Sequence, residues 1–309
     1  MGLVVATILP ICLVLILGQV LRRLDFLPLT FWAASDKLIY FVLFPALLIG
    51  KIAVVDLAQV PWQSVLWFLL GYFVFTAILV VAFVRFTGAD SSAQSSVYQA
   101  LVRFNSYVYF IIIAALWSND TLALAAVFAG LVIPLINVCS VLSFFTRRGA
   151  RIPLGNIAHS LITNPLILGT LAGFLFNIIG ISSILLDTAE LLARPALPLA
   201  LLSIGANVRL KLLVEYWARG QITLLTGATL LRLIIVPALA WLLAWVIGIE
   251  GALLIVVMVF AATPTATSSY ILSKQLGGDA DLMAAVISLQ TILSMLTLAG
   301  WLMLLEVAA

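Results

Sequence analysis

The sequence predicts an all-α integral membrane protein: ten transmembrane helices in two inverted five-helix repeats, with the fourth and ninth helices discontinuous. Three observations predict it. The first is composition. The chain is 65% hydrophobic and 9% charged, with a mean hydropathy of +1.28, and a soluble domain cannot cover itself with so little charge. The second is run length. In a bilayer the backbone must satisfy its own hydrogen bonds, which leaves helices or a closed barrel. Long apolar runs rather than alternating ten-residue segments select helices. The third is a pair of motifs that recur at nearly one offset, described below.

Hydropathy places the spans at 3–21, 36–55, 62–84, 96–117, 121–145, 156–179, 184–206, 217–247, 251–275 and 280–304. The first, "LVVATILPICLVLILGQVL", has no basic segment before it; Arg22 and Arg23 follow it. It therefore reads as an uncleaved span with its N-terminus outside. The second, seventh and ninth are the least regular. The fourth, "VYQALVRFNSYVYFIIIAALW", is interrupted by Arg103, Asn105 and Ser106. The fifth carries Asn137, the seventh Arg194, the eighth Arg232, and the tenth Gln290 and Thr291. Gly169 to Gly173 in the sixth is a GxxxG that marks close helix packing. Short loops make residues 1–309 one membrane domain, with repeats at 1–150 and 151–309. Trp62, Trp117, Trp217 and Trp301, near span ends, read as interfacial anchors.

The loops after odd-numbered spans hold Arg22, Arg23, Arg85, Arg147, Arg148, Arg151, Arg209, Lys211, Arg219 and Lys274. The other side holds Lys51 and the acids Asp56, Asp120, Asp187 and Glu250. The positive-inside rule puts the odd loops in the cytoplasm and both termini outside. Pro10 and Gly18 recur as Pro165 and Gly173, 155 residues later; Leu38 and Pro45 recur as Leu191 and Pro198, 153 residues later. Five spans per half is an odd number, so the second half is inverted, an arrangement typical of secondary transporters.

In such proteins the site lies where helices break near the midplane. The ninth span runs from "GALLIVVMVF" into "AATPTATSSY". Pro264 lacks an N–H and breaks or kinks the helix. Thr263, Thr265, Thr267 and Ser268 can satisfy the freed carbonyls, either as a patched kink or as the wall of a site. The polar break of the fourth span falls at the corresponding place in the first repeat. Arg103, Arg194 and Arg232 lie inside spans, and a charge at that depth faces a partner or water. Arginine's planar fork suits a carboxylate. Arg103 is thus the first candidate for an anion ligand, the alternative being a side chain that snorkels to the cytoplasmic face. Arg232 is the second candidate, and Arg194 reads as structural. Asn137 and Gln290 either line the cavity or hold helices together. The expected substrate site is therefore Arg103, Asn105, Ser106, Thr263, Pro264, Thr265, Asn137, Gln290 and Arg232, with Thr263, Thr265 and Ser268 as alternative sodium ligands.

The segments "ILPICLVLILGQVLRR", "LIYFVLFPALLIG", "LPLALLSIGANVRL", "LRLIIVPAL" and "TPTATSSYILSKQLGGDADLMAAVISLQTILSMLTL" resemble the auxin efflux carrier family, which includes bacterial malonate and malate permeases. The resemblance covers essentially the whole chain. It implies a fold shared with bile acid/sodium symporters. Spans 1, 2, 6 and 7 would form a scaffold, often dimeric. Spans 3–5 and 8–10 would form a transport unit in which spans 4 and 9 cross at Asn105 and Pro264. The sequence lacks the span-4 proline and long central loop of the plant members and adds Arg103, which argues against auxin as substrate.

The leading expectation is a secondary transporter in the bacterial inner membrane that moves a small organic anion, a carboxylate, by alternating access. All twelve acids read as lying in loops or at span ends, so the membrane potential would drive the anion alone. A sodium- or proton-coupled symporter is the alternative. A channel would need a continuous polar pore. An enzyme would need a catalytic constellation, and the chain has one histidine, His159. Cys12 and Cys139 sit in apolar runs, and no phosphate-binding loop is present. No cofactor, resident metal or nucleic-acid partner is expected.

Overall fold

The computed structural model describes residues 2–145, 154–218 and 222–308. Arg147, Arg148, Arg151 and Arg219, which enter the charge argument, lie outside the described residues.

Among the described residues the chain is helical, without strands. In order it forms α1 (Gly2–Arg23), then α2 (Leu29–Leu38), which continues through a π turn (Ile39–Leu43) into α3 (Phe44–Ile52). α4 (Trp62–Thr87), α5 (Ser91–Val102), α6 (Ser106–Leu116) and α7 (Asn119–Phe145) follow. The second half holds α8 (Leu154–Ile162), α9 (Pro165–Ile179), α10 (Ser183–Ala193), α11 (Ala196–Ala206) and α12 (Leu210–Ala218). α13 (Ile222–Leu230) passes through a second π turn (Leu231–Ile235) into α14 (Val236–Ile247), before α15 (Gly251–Ala262), α16 (Ser268–Leu276) and α17 (Ala280–Ala308).

Seven stretches among the described residues are long and apolar enough to cross a bilayer: Leu29–Ile52, Trp62–Thr87, Ser91–Leu116, Asn119–Phe144, Ser183–Ala206, Ile222–Ile247 and Ala280–Glu306. Pro165–Ile179 and Gly251–Ala262 are shorter apolar helices. Their outward faces are apolar, as lipid requires: Leu66, Leu70 and Ile78 on α4, and Leu168, Leu171, Leu175 and Ile178 on α9, are exposed. The chain is a multi-pass membrane protein.

Local chemistry accounts for the irregular places. Both π turns end immediately before a proline-bearing turn, Phe44-Pro45 and Val236-Pro237. Proline has no N–H and collides with the carbonyl four residues back, so the preceding turn widens. At Pro237 that carbonyl belongs to Leu233, and the Trp301 indole N–H donates to it at 3.0 Å. Asp90 starts α5 by accepting from the amides of Ser92 and Ala93. The Ala93 amide and the Ser92 hydroxyl hold its carboxyl below the usual carboxylate range.

The second span begins at Leu29, not at 36. Pro28 caps it in an extended conformation (φ −63°, ψ 155°). Hydropathy misses the first turns because Ala34-Ser35-Asp36-Lys37 is polar on average, although Trp32 and Ser35 are buried. Asp36 consequently lies within the span. The expected start of span 8 at 217 is also displaced: residues 210–218 form the separate helix α12, and α13 begins at Ile222.

α1 packs on α11, and α3 packs on α9 and α10. The first contact is backbone to backbone: a Cβ at Gly18 would strike the Leu202 carbonyl, and one at Gly205 the Leu15 carbonyl. The second uses the GxxxG, because a Cβ at Gly169 would lie 2.8 Å from Pro45 Cα and one at Gly173 2.8 Å from Ile52 Cβ. Elsewhere α4 packs on α5 and α14, and α15 packs on α7, α14 and α17.

Candidate functional site

Two helices stop inside the protein and restart. α5 ends at Val102 and α6 begins at Ser106; α15 ends at Ala262 and α16 begins at Ser268. α5 contacts α16, and α6 contacts α15, so the breaks meet. The Asn105 amide donates to the Pro264 carbonyl at 2.8 Å. Thr265 Oγ1 donates to the carbonyls of Gln99 and Arg103, both at 3.1 Å. The Thr265 amide donates to Gln290 Oε1 at 2.9 Å, and Gln290 is fully buried. Backbone groups freed by the breaks are thus paired across them, as burial in hydrocarbon demands.

A small cavity of about 70 Å³ opens beside this junction. Arg103, Asn105, Ser106 and Tyr107 line it from the first break, and Thr267 and Ser268 from the second. Tyr40 of the π turn, Asn137 of α7 and Asn164 before α9 complete its polar wall, with Ile133, Ile136 and Leu166 as apolar surface. One water needs roughly 10–15 Å³ on this scale, so the space suits a few waters or a small carboxylate better than a fused ring system.

Its wall is rich in hydrogen-bond donors. Arg103 Nη2 donates to Ser268 Oγ at 3.1 Å. Its Nε and Nη1 are buried and meet no acceptor among the described residues. Asn105 Oδ1 accepts from the amides of Tyr107 and Val108 and so caps α6. That fixes the amide orientation and leaves Asn105 Nδ2 buried without an acceptor among the described residues. Arg103 and Asn105 both belong to the cavity wall and both carry donors without acceptors among the described residues, a chemistry that a carboxylate complements.

The expected site residues divide accordingly. Arg103, Asn105, Ser106, Asn137 and Ser268 share the cavity wall. Thr263 and Thr265 are fully buried behind it, and Gln290 braces the second break. Pro264 contributes its carbonyl to Asn105. Arg232 does not line the cavity. It is fully buried, and its donors go to the Thr263, Leu101 and Phe260 carbonyls and to the Tyr72 hydroxyl.

Sequence reasoning missed Tyr40, Tyr107 and Asn164. Asn164-Pro165 carried a usable signal: an N-cap asparagine followed by proline is a helix start, here within an apolar run. It also missed Asp36, which is half-buried and accepts from Ser203 Oγ and, at 3.0 Å, from Asn207 Nδ2. Asp36 lies one helical turn before Tyr40, which lines the cavity.

A family described as "membrane transport protein" matches residues 154–302. An uncharacterized transporter of Methanothermobacter thermautotrophicus is 24% identical over 305 residues, covering 96% of this chain and 96% of that protein.

Proposed function

We propose that the chain is a transporter rather than an enzyme, a reading supported by its similarity to the membrane transport protein family over residues 154–302 and to an uncharacterized transporter along nearly its whole length, and that it carries a small organic carboxylate by alternating access. The observation that carries this reading is the pair of unmatched buried donors on Arg103 beside the unmatched Asn105 amide, in a cavity at the junction of two broken helices. The proposed substrate ligands are Arg103, Asn105, Ser106, Asn137 and Ser268. Thr263, Pro264, Thr265 and Gln290 would shape the junction, with Tyr40, Tyr107 and Asn164 closing the wall.

The architecture we propose has ten spans in two inverted repeats, residues 1–150 and 151–309, with spans 4 and 9 crossing. The helix contacts support it. Gly18 of the first span abuts Leu202 of the seventh, and Gly173 of the sixth abuts Ile52 and the Leu48 carbonyl of the second. A twofold relation between the repeats exchanges these two contacts. Spans 1, 2, 6 and 7 would be the scaffold, also forming a homodimer, and spans 3–5 and 8–10 the moving unit. We assign the protein to a bacterial inner membrane with both termini outside. After removal of Cys12 and Cys139, a single cysteine at Asp120 should react with an impermeant thiol reagent in intact cells. One at Lys211 should not, and the opposite pattern would reverse the orientation.

The driving force on a lone anion is the membrane potential, about 2.3 kcal/mol per charge per 100 mV, directed outward when the interior is negative. One observation favours a second reading. Asp36 lies within Leu29–Ile52 rather than at its edge, one turn from the cavity residue Tyr40, so a carboxylate sits near the cavity. Purified protein in proteoliposomes, screened over mono- and dicarboxylates, tests both readings. Potential-driven flux at equal pH supports uniport. Flux that needs a pH gradient and loses that need in Asp36→Asn supports proton coupling. Failure to move any carboxylate while moving a neutral or cationic solute would overturn the substrate class.

A further inference from the structure

The junction has a second charged residue whose role the anion site leaves open. α5 and α15 both end in the protein interior, each with terminal carbonyls that have no partner within the helix. Each such end carries the equivalent of roughly half a negative charge. Where half-helix ends converge in a transporter, they form a natural seat for a cation such as sodium.

We infer that Arg232 is a resident cation filling that seat, so that the junction of this transporter neither needs nor holds a free sodium ion. Its guanidinium is fully buried. Nη1 donates to the Leu101 carbonyl of α5 at 2.9 Å, Nη2 to the Phe260 carbonyl of α15 at 3.1 Å, and Nε to the Thr263 carbonyl at 3.0 Å. Nη1 also donates to Tyr72 Oη at 2.9 Å, and that hydroxyl donates onward to Leu101 at 3.2 Å. No carboxylate is among these partners: the negative ends of both half-helices supply the counter-charge. The π turn around Arg232 is built in, forced by Pro237 and closed by Trp301 on the Leu233 carbonyl.

The groups that could have ligated sodium are committed elsewhere. Thr263 Oγ1 donates to Phe260, and its carbonyl accepts from Arg232. Thr265 Oγ1 donates to Gln99 and Arg103, and Ser268 Oγ accepts from Arg103. A free cation would also be repelled by the guanidinium in a medium of low dielectric. A covalently attached cation cannot dissociate during the cycle. It therefore holds the junction in one shape whether or not the anion site is occupied.

The inference rests on the transporter reading for its flux arm alone; thermal stability tests it without a substrate. The wild-type midpoint, and any flux, should be the same in sodium chloride and in choline chloride at equal ionic strength. Arg232→Gln keeps polar donors and removes the charge. It should unfold at lower temperature and gain a saturable rise of about 5 °C from sodium or from millimolar guanidinium, as a newly vacated cation seat binds. Arg232→Lys retains a cation and should remain indifferent to sodium. Saturable stabilisation of the wild type by sodium, or sodium-dependent wild-type flux, would overturn the inference even if the glutamine variant failed to fold. So would a folded Arg232→Gln that responds to neither ion.

Discussion

Arg103→Ala should abolish carboxylate binding and flux, and Arg103→Lys should weaken binding by more than tenfold. The lysine variant separates charge from shape. It keeps the positive charge but loses the planar edge on which Nε and Nη1 wait unmatched. A tenfold loss corresponds to about 1.4 kcal/mol, less than a single charge-assisted hydrogen bond to a carboxylate can contribute. Removing the arginine should not unfold the protein, since its one side-chain hydrogen bond among the described residues is to Ser268. Isothermal titration of the detergent-solubilised variants with the best carboxylate measures this. Unchanged affinity in both variants would return Arg103 to a purely structural role.

Asn105 should give the second large effect, and two substitutions divide its roles. Its oxygen caps α6 through Tyr107 and Val108, while its nitrogen has no acceptor among the described residues. Asn105→Asp retains the cap, because a carboxylate accepts from the same amides, but it replaces the donor with a negative charge. Transport should be lost with the thermal midpoint held. Asn105→Ala should lose transport and also about 1 kcal/mol of stability, the usual value of an N-cap. Flux and midpoint measured side by side decide the matter. If Asn105→Asp transports normally, the amide does not touch the substrate.

Several residues of the candidate cavity stand out in the sequence because polar residues in an apolar run have few innocent explanations. Arg103, Asn105 and the Thr263–Ser268 stretch were conspicuous for that reason, and the structure joins both breaks through the Asn105–Pro264 hydrogen bond. Arg232 was equally conspicuous, but sequence could not distinguish an arginine that faces a cavity from one that faces helix ends. That difference depends on where α5 and α15 terminate in three dimensions. Asp36 was misread for a different reason. Averaged hydropathy treats a polar stretch as a loop, whereas the cap at Pro28 starts the helix earlier. Tyr40 was invisible because its place on the cavity follows from the π turn before Pro45, and the widening of a turn ahead of proline is a tertiary outcome as much as a local one.

The central claim is that a carboxylate binds between the two helix breaks. The most direct measurement is an experimental structure of the protein with a bromine-labelled small carboxylate that it transports. The account predicts density in the cavity with its carboxylate oxygens within hydrogen-bonding distance of Arg103 Nε and Nη1 and of Asn105 Nδ2. Density confined to the outer groove lined by Arg23, Arg209 and Lys211, with the Arg103 cavity empty at saturating concentration, would contradict it.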